Sequence, residues 1–229
     1  NNVYPIDVRN GFTGVDNHYT PYEIRIEIEA FQTKTIWLVC SGMNSANEDD
    51  VNIIKQKSGA NIIEDCRKRG YDTMNKSGIE DDFLKRLTWA ADHFIVNRES
   101  TGLKTILAGY PWFLDWGRDT MIAALGCTIA TGRQDDTKSM FRTFISYLRN
   151  GLMPNMFPEG DQPPLYNTVD ASLLFIYSVH EYYQEFKDLD FINEVMEPMM
   201  DIIHWYKKGT DFHIRMEEDG LISAGADFE

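Results

Sequence analysis

Residues 109–119 read GYPWFLDWGRD. Tyr110, Trp112, Phe113 and Trp116 stand here beside Arg118 and Asp119, a density of rings and charge for which a loop has little structural use. An arginine next to an aspartate, with aromatic faces nearby, can grip a sugar. The guanidinium donates and the carboxylate accepts at neighbouring hydroxyls, while a ring covers the apolar C–H face of a pyranose. The structural alternative is a capped helix start, with Asp115 or Asp119 as N-cap and a hydrophobic staple before it. It accounts for one aspartate and one ring, and the residue types alone weigh the two readings about equally.

A second stretch, residues 151–170, reads GLMPNMFPEGDQPPLYNTVD. Pro154, Pro158, Pro163 and Pro164 stiffen it, with Asn155 among the polar residues between them, and Tyr166, Asn167 and Asp170 are candidate ligand contacts at the start of a helix. Asn167 with Asp170 also fits a capping box in its Asn/Asp form, which by itself accounts for both. Glu159 reads as a solvated loop carboxylate. The five histidines are scattered, with no HExxH spacing and no helical pair, so no metal site is expected. Neither a phosphate loop, a nucleophile elbow nor a dinucleotide-binding glycine pattern occurs, so no cofactor is expected.

The 229 residues carry 22 Lys and Arg against 36 Asp and Glu, a net charge of −14. Such a balance disfavours nucleic acid or an anionic membrane as partner and suits a neutral ligand. No run approaches the roughly 18 apolar residues of a membrane span. Cys40, Cys66 and Cys127 are widely spaced, which implies reduced thiols rather than a disulfide framework or a zinc site. The opening NNVYPIDVRN has no signal pattern, so a cytoplasmic location is expected; it also lacks an initiator Met, which leaves a removed leader open.

The elements that must position the two stretches are read from periodicity. Tyr22, Ile24, Ile26 and Ile28 alternate with charges over residues 22–30, and TIWLVCSG follows, predicting the last strands of a β-rich domain over 1–45. Residues 46–78 read as a linker with a connecting helix. Ile79, Phe83, Leu84, Leu87, Ala90, Ala91, Phe94 and Ile95 then recur at helical spacing. Further helices are predicted at about 119–131, 137–150, 168–187 and 190–208, with no strand alternation after residue 40. The fold class is therefore mainly α, with antiparallel helix pairs over 79–229.

Four blocks in one order, AGYPWFLDWGRDTMIA, GLMPNMFPE, YNTVDASLLF and GTDFHIRMEEDGLISAG, resemble the glycogen debranching enzyme family. The resemblance is to its amylo-α-1,6-glucosidase region of bacterial and archaeal type. It implies the first part of an (α/α)6 barrel like that of glucoamylases, with inner-helix starts forming a pocket for a terminal glucose. Trp116, Arg118 and Asp119 match a Trp-x-Arg-Asp segment of that fold, which implies hydroxyl binding by Arg118 and Asp119 and a pocket wall from Trp116. Tyr110, Trp112, Asn155, Tyr166, Asn167 and Asp170 fall in family motifs and are expected to line the same pocket.

The implied activity is hydrolysis, with inversion, of α-1,6-linked glucose at branch points of glycogen or limit dextrin. Inverting hydrolysis needs an acid and a base roughly 6.5–9.5 Å apart. The family's acid lies in a Trp-Met-Asp motif expected beyond Glu229, and its base further on, so no catalytic residue is expected among these residues. Asp119 beside Arg118, and Asp170 at a helix start, are expected to stay ionised and to be poor proton donors. The alternatives are a glucoamylase- or trehalase-like α-glucan hydrolase, a non-catalytic carbohydrate-binding protein, and a helical scaffold. A partial barrel should expose apolar helix faces, so self-association is also expected.

Overall fold

The computed structural model describes residues 2–9, 14–16, 23–38, 57–109, 113–157 and 163–225. The chain divides into two compact units, Asn1–Ile62 and Ile63–Glu229.

In the first unit β1 (Asn2–Val3) pairs antiparallel with β2 (Val15–Asp16) around a short helix, α1 (Pro5–Arg9). Residues 23–38 do not form the predicted strands. They run on either side of a turn at Ala30–Phe31 with no ladder, and Ile24, Ile26 and Ile28 are exposed. Alternation marks a strand only where a sheet exists to bury the apolar face, and a two-stranded ribbon alone is marginal. The charged side chains pair locally instead, Arg25 with Glu23 at 2.9 Å.

The second unit is mainly helical. After α2 (Gly59–Lys76), helix α3 (Asp82–Asp92) starts at Asp81, whose carboxylate accepts from the amides of Phe83 and Leu84 at 3.0 and 2.9 Å. The helical spacing read through Ile95 overshoots. The helix ends at Asp92, and β3 (Ile95–Arg98) pairs antiparallel with β4 (Leu103–Ile106) in register Ile95 with Ile106 and Arg98 with Leu103. This hairpin corrects the expectation of no strand after residue 40. Its strands are only four residues long, and the Leu87–Ala91–Ile95 spacing imitates a helix face across the break. Gly102, at φ 65°, closes the connection, and its amide donates to Arg98 O at 2.8 Å.

Helix α4 (Gly117–Ala124) continues through a π turn, Leu125–Ile129, and is followed by α5 (Gln134–Ile145), α6 (Ala171–Phe186) and α7 (Leu189–Lys208). These agree with the predicted helices to within a few residues at their ends, except that α5 stops at Ile145, five residues short of 150. Side chains of α5 satisfy the open edge of β4: Lys104 N donates to Ser139 Oγ at 2.9 Å, and Thr143 Oγ1 donates to Lys104 O at 2.7 Å. An otherwise open strand edge is thereby covered by a helix.

The core lies where α4, α5, α6 and α7 meet. Phe141 is fully buried, edge-on to Phe175 at 5.4 Å between centroids and stacked near Phe191 at 6.3 Å. Each such ring buries enough apolar area to contribute roughly 1.5–3 kcal/mol. The α6–α7 turn is fixed by Asp188. Its Oδ2 accepts from Lys138 Nζ and Tyr182 Oη, both at 2.7 Å, and from Gln134 Nε2 at 2.9 Å, while Oδ1 caps Phe191 N at 3.1 Å. Lys138 foremost, then the Phe191 amide, hold this carboxyl well below the usual range. Burial, with Asp188 alongside, drives the Tyr182 phenol well above its own.

Candidate functional site

Three separated stretches meet in the backbone itself. Trp116 bridges antiparallel to Met156, and Met156 bridges antiparallel to Leu165, so the first motif and both ends of the second lie side by side. Gly117 N donates to Asn155 O at 2.8 Å, Asn155 N to Leu165 O at 2.6 Å and Leu165 N to Met156 O at 3.0 Å. Gly117 is what allows the approach: a Cβ there would lie 2.1 Å from Pro154 O. The start of α4 is thus pressed against the 154–156 backbone, and the residues that follow are aimed by that contact.

Arg118 is the residue most clearly redirected. The sequence pairs it with its neighbour Asp119, but successive side chains on a helix diverge by about 100°. Arg118 Nε instead meets Asp170 Oδ2 at 2.7 Å, and its Nη2 donates to Thr168 Oγ1 at 3.4 Å. Thr168 Oγ1 in turn donates to Asp170 Oδ1 at 2.7 Å. Arg118 Nη1 has no hydrogen-bond partner among the described residues.

Burial would raise the Asp170 carboxyl, but the Thr168 hydroxyl and the Arg118 guanidinium outweigh it and hold it below its ordinary value. Asp170 is therefore an ionised anchor for Arg118. The capping-box reading fails for the same reason: Asp170 occupies the N-cap position of α6 without a side-chain cap, and Asn167 Oδ1 accepts from Asn155 Nδ2 at 3.1 Å. Both residues are spent on the site and not on the helix end.

These partnerships give a pH dependence whose sign is fixed. The native pKa of Asp170 lies below its unfolded value, so the pair's contribution is complete at neutral pH and is lost as pH falls through the lowered native value. Both side chains are substantially exposed, 53% for Arg118 and 38% for Asp170, so solvent limits the contribution to about 1 kcal/mol or less. Melts of the protein and of Asp170→Asn should differ near pH 7 and converge as pH falls through that lowered native value. Curves that stay separated at low pH would show that the aspartate acts other than through its charge.

Asp119 stands apart from this cluster. Its carboxylate is exposed and has no hydrogen bond or ion pair among the described residues. It borders a cleft of about 360 Å³ whose lining is otherwise apolar, with Phe94, Ile106, Leu107 and Ala108 joined by Ile122 and Cys127. Burial foremost pushes the Cys127 thiol up, against the opposing influence of Arg133, so it faces this cleft protonated. A free acceptor at the edge of an apolar groove is suited to a ligand with hydroxyls on its rim and C–H on its face. The α4 N-cap is Trp116, partly buried and without a side-chain cap, which corrects the assignment of that role to Asp115 or Asp119.

Tyr166 is not brought into the site. Its ring is buried, its hydroxyl donates to Tyr147 O at 2.7 Å, and the Arg149 guanidinium covers its face at 4.2 Å. Placed among the ligand contacts from its motif, it belongs to the core, because a buried tyrosine hydroxyl finds its partner in a nearby carbonyl. Tyr110, Trp112 and Glu159 lie outside the described residues.

A group missed in the sequence lies behind the site. Asp115, 3% exposed at its side chain, accepts from Arg98 Nη1 at 2.7 Å and from Thr105 Oγ1 at 2.9 Å. Arg98 comes from β3, its guanidinium packs over the Phe157 ring at 4.1 Å, and its Nε is buried without a partner among the described residues. Leaving such a donor unsatisfied costs about 1–3 kcal/mol. Tyr206, pushed up to about 12 chiefly by burial, donates to Val169 O at 2.5 Å and pins the segment that carries Thr168 and Asp170. No group of three or more His, Cys, Asp or Glu capable of holding a metal occurs among the described residues. Nor is any described helix long and apolar enough to cross a membrane.

Comparison with known proteins places these features in a family. The glycogen debranching enzyme of Saccharomyces cerevisiae (strain ATCC 204508 / S288c) is 30% identical over 129 residues, which is 51% of this chain and 8% of that relative's length. The chain therefore matches only a small part of the curated relative. The profile of the amylo-alpha-1,6-glucosidase family matches residues 89–229, which include α4 to α7 and every described residue of the site. With more than half of its residues matched, the chain belongs to the amylo-alpha-1,6-glucosidase family.

Proposed function

We propose that the protein hydrolyses α-1,6-linked glucose at the branch points of a glycogen-like glucan, and that this segment supplies one wall of the pocket for the terminal glucose. The observation that carries the reading is the meeting of the family's separated motifs at the start of α4, with an unpaired Asp119 and an Arg118 held by Asp170. On this reading Asp119 accepts hydrogen bonds from glucose hydroxyls at the apolar cleft. Arg118 donates from the nitrogen that Asp170 and Thr168 leave open. The amide pair Asn155–Asn167, tied to the start of α4 by the Gly117 N to Asn155 O bond, supplies a second set of donors and acceptors, with Trp116 against the ring face.

The same partners argue against a proton-donating role for Asp170, since a general acid at neutral pH needs a raised pKa. Acid and base are assigned outside these residues, on either side of the bond with room for a water, as inversion requires. The helices α3 to α7 are read as the opening part of an (α/α)6 barrel in a cytoplasmic enzyme. Exposed apolar residues such as Leu173 and Tyr177 on α6 support self-association through that helix.

The test is glucose release by the full-length protein from a limit dextrin and from isomaltose-type substrates, with these 229 residues alone expected to be inactive, followed alongside sugar quenching of tryptophan fluorescence. Release of free β-glucose from the α-1,6-linked stub is expected. Quenching without release would make it a carbohydrate-binding protein, and neither response would leave a helical scaffold.

A further inference from the structure

We infer that Arg98 is a positioning residue for the sugar grip, acting through Asp115 and Phe157. It touches no part of the cluster formed by Arg118, Thr168 and Asp170. Instead it stands behind both motif strands at once. Its Nη1 donates to Asp115 Oδ1 at 2.7 Å, and its guanidinium plane lies over the Phe157 ring at 4.1 Å. Asp115 is the residue before Trp116, and Phe157 the residue after Met156, which bridges Trp116. Phe157 N also donates to Asp115 O at 3.3 Å, so the arginine joins by its side chain the same two segments that the backbone joins there and at the Trp116–Met156 bridge. Thr105 Oγ1 from β4 holds the other oxygen of Asp115, completing an attachment of the motif strand to the hairpin.

Arginine is a poor choice here for stability alone. A largely buried guanidinium must be desolvated, its Nε is left without a partner among the described residues, and well-packed apolar residues commonly replace buried ion pairs at no loss. What arginine adds is geometry. A planar fork bonded to one strand and stacked on the next fixes their relative register, which neither a methionine nor the point charge of a lysine can do. A site is only as precise as the groups that lock its contact residues, and displacement of about 1 Å can lower a rate about 100-fold. The hairpin that interrupts the helical pattern therefore has a use: it delivers Arg98 and Thr105 to the back of the grip.

The activity part of the test rests on the glucosidase reading, and the structural part does not. The protein is labelled with 5-fluorotryptophan, the Trp116 resonance is assigned with Trp116→Phe, and Arg98→Met, Arg98→Lys and Thr105→Val are compared. Arg98→Met should move or broaden the Trp116 resonance while the Trp205 resonance stays in place. It should also lower kcat/KM on limit dextrin about 10- to 100-fold, mostly through KM. Arg98→Lys should recover part of the rate, since the charge returns but the stacked plane does not. Thr105→Val, nearly isosteric, carries the same test in a smaller form should Arg98→Met fail to fold. Val195→Ala in the α7 core supplies a destabilised control in which neither readout moves. A folded Arg98 variant with an unmoved Trp116 resonance and normal kinetics overturns the proposal. A moved resonance in a protein that hydrolyses no glucan sustains the positioning role and sinks the glucosidase reading instead.

Discussion

Gly117→Ala is expected to dismantle the site and to destabilise the helical unit by roughly 3 kcal/mol or more. The added Cβ would stand 2.1 Å from Pro154 O, a backbone atom that cannot swing aside as a side-chain tip can. Relief requires α4 to withdraw from the 154–156 segment. That withdrawal breaks the Gly117 N to Asn155 O bond and the Trp116–Met156 bridge. Against a total stability of about 5–15 kcal/mol, such a loss is a large fraction. It should appear as a fall in the denaturation midpoint together with lost glucan hydrolysis. The comparison is Gly126→Ala in the π turn, where a Cβ would meet nothing within 4 Å and where alanine is the better helix former. If both substitutions melt like the parent, the close approach at Gly117 is not what holds the motifs together.

The composition of the first motif was legible as unusual for a loop. Two tryptophans, an arginine and an aspartate before a helix exceed what capping uses, so residue type alone gave a ligand site equal weight with a structural one. The partners were not legible. Arg118 lies 52 positions before Asp170, and nothing local prefers it to the adjacent Asp119; only the helical turn between successive side chains separates the neighbours. Asp115 read as a candidate cap because aspartates cap helices, yet its charge is consumed by Arg98 from a hairpin whose strands are too short to declare themselves. Tyr166 sits among motif residues with the right chemistry for a sugar and was placed with them, but its hydroxyl is used by Tyr147 O. The helices α4, α6 and α7 needed no such long-range information, since their apolar spacing and their polar or proline-bearing boundaries are local properties of the chain.

The division of charge at the site separates binding from stability. Asp170 serves the protein: it is partnered twice and fixes Arg118. Asp119 borders the cleft, and the fold gives its carboxylate no partner among the described residues. A charged group kept exposed and unpaired contributes little to folding, so natural cost and benefit at this position fall on the ligand side.

Asp119→Asn should accordingly leave the melting curve within about 0.5 kcal/mol of the parent and lower kcat/KM on an α-1,6-linked stub by about 1,000-fold. The estimate takes two charge-assisted bonds to sugar hydroxyls at about 2 kcal/mol each, and a tenfold change for each 1.4 kcal/mol. The asparagine keeps size and one acceptor oxygen, but turns the second acceptor into a donor that faces a hydroxyl proton, so the loss exceeds that of a simple truncation of charge. Arg118→Met offers the contrasting case. It removes the proposed donor to the sugar and also leaves Asp170 with the Thr168 hydroxyl alone, so it should be less stable than the parent near pH 7 and approach it as pH falls and Asp170 is protonated. Steady-state kinetics on isomaltose-type and limit-dextrin substrates, run beside melts of the same samples, separate the two. An Asp119→Asn protein that is unstable would mean the carboxylate has a structural partner. One that is stable and fully active would place the glucose elsewhere than the cleft along α4.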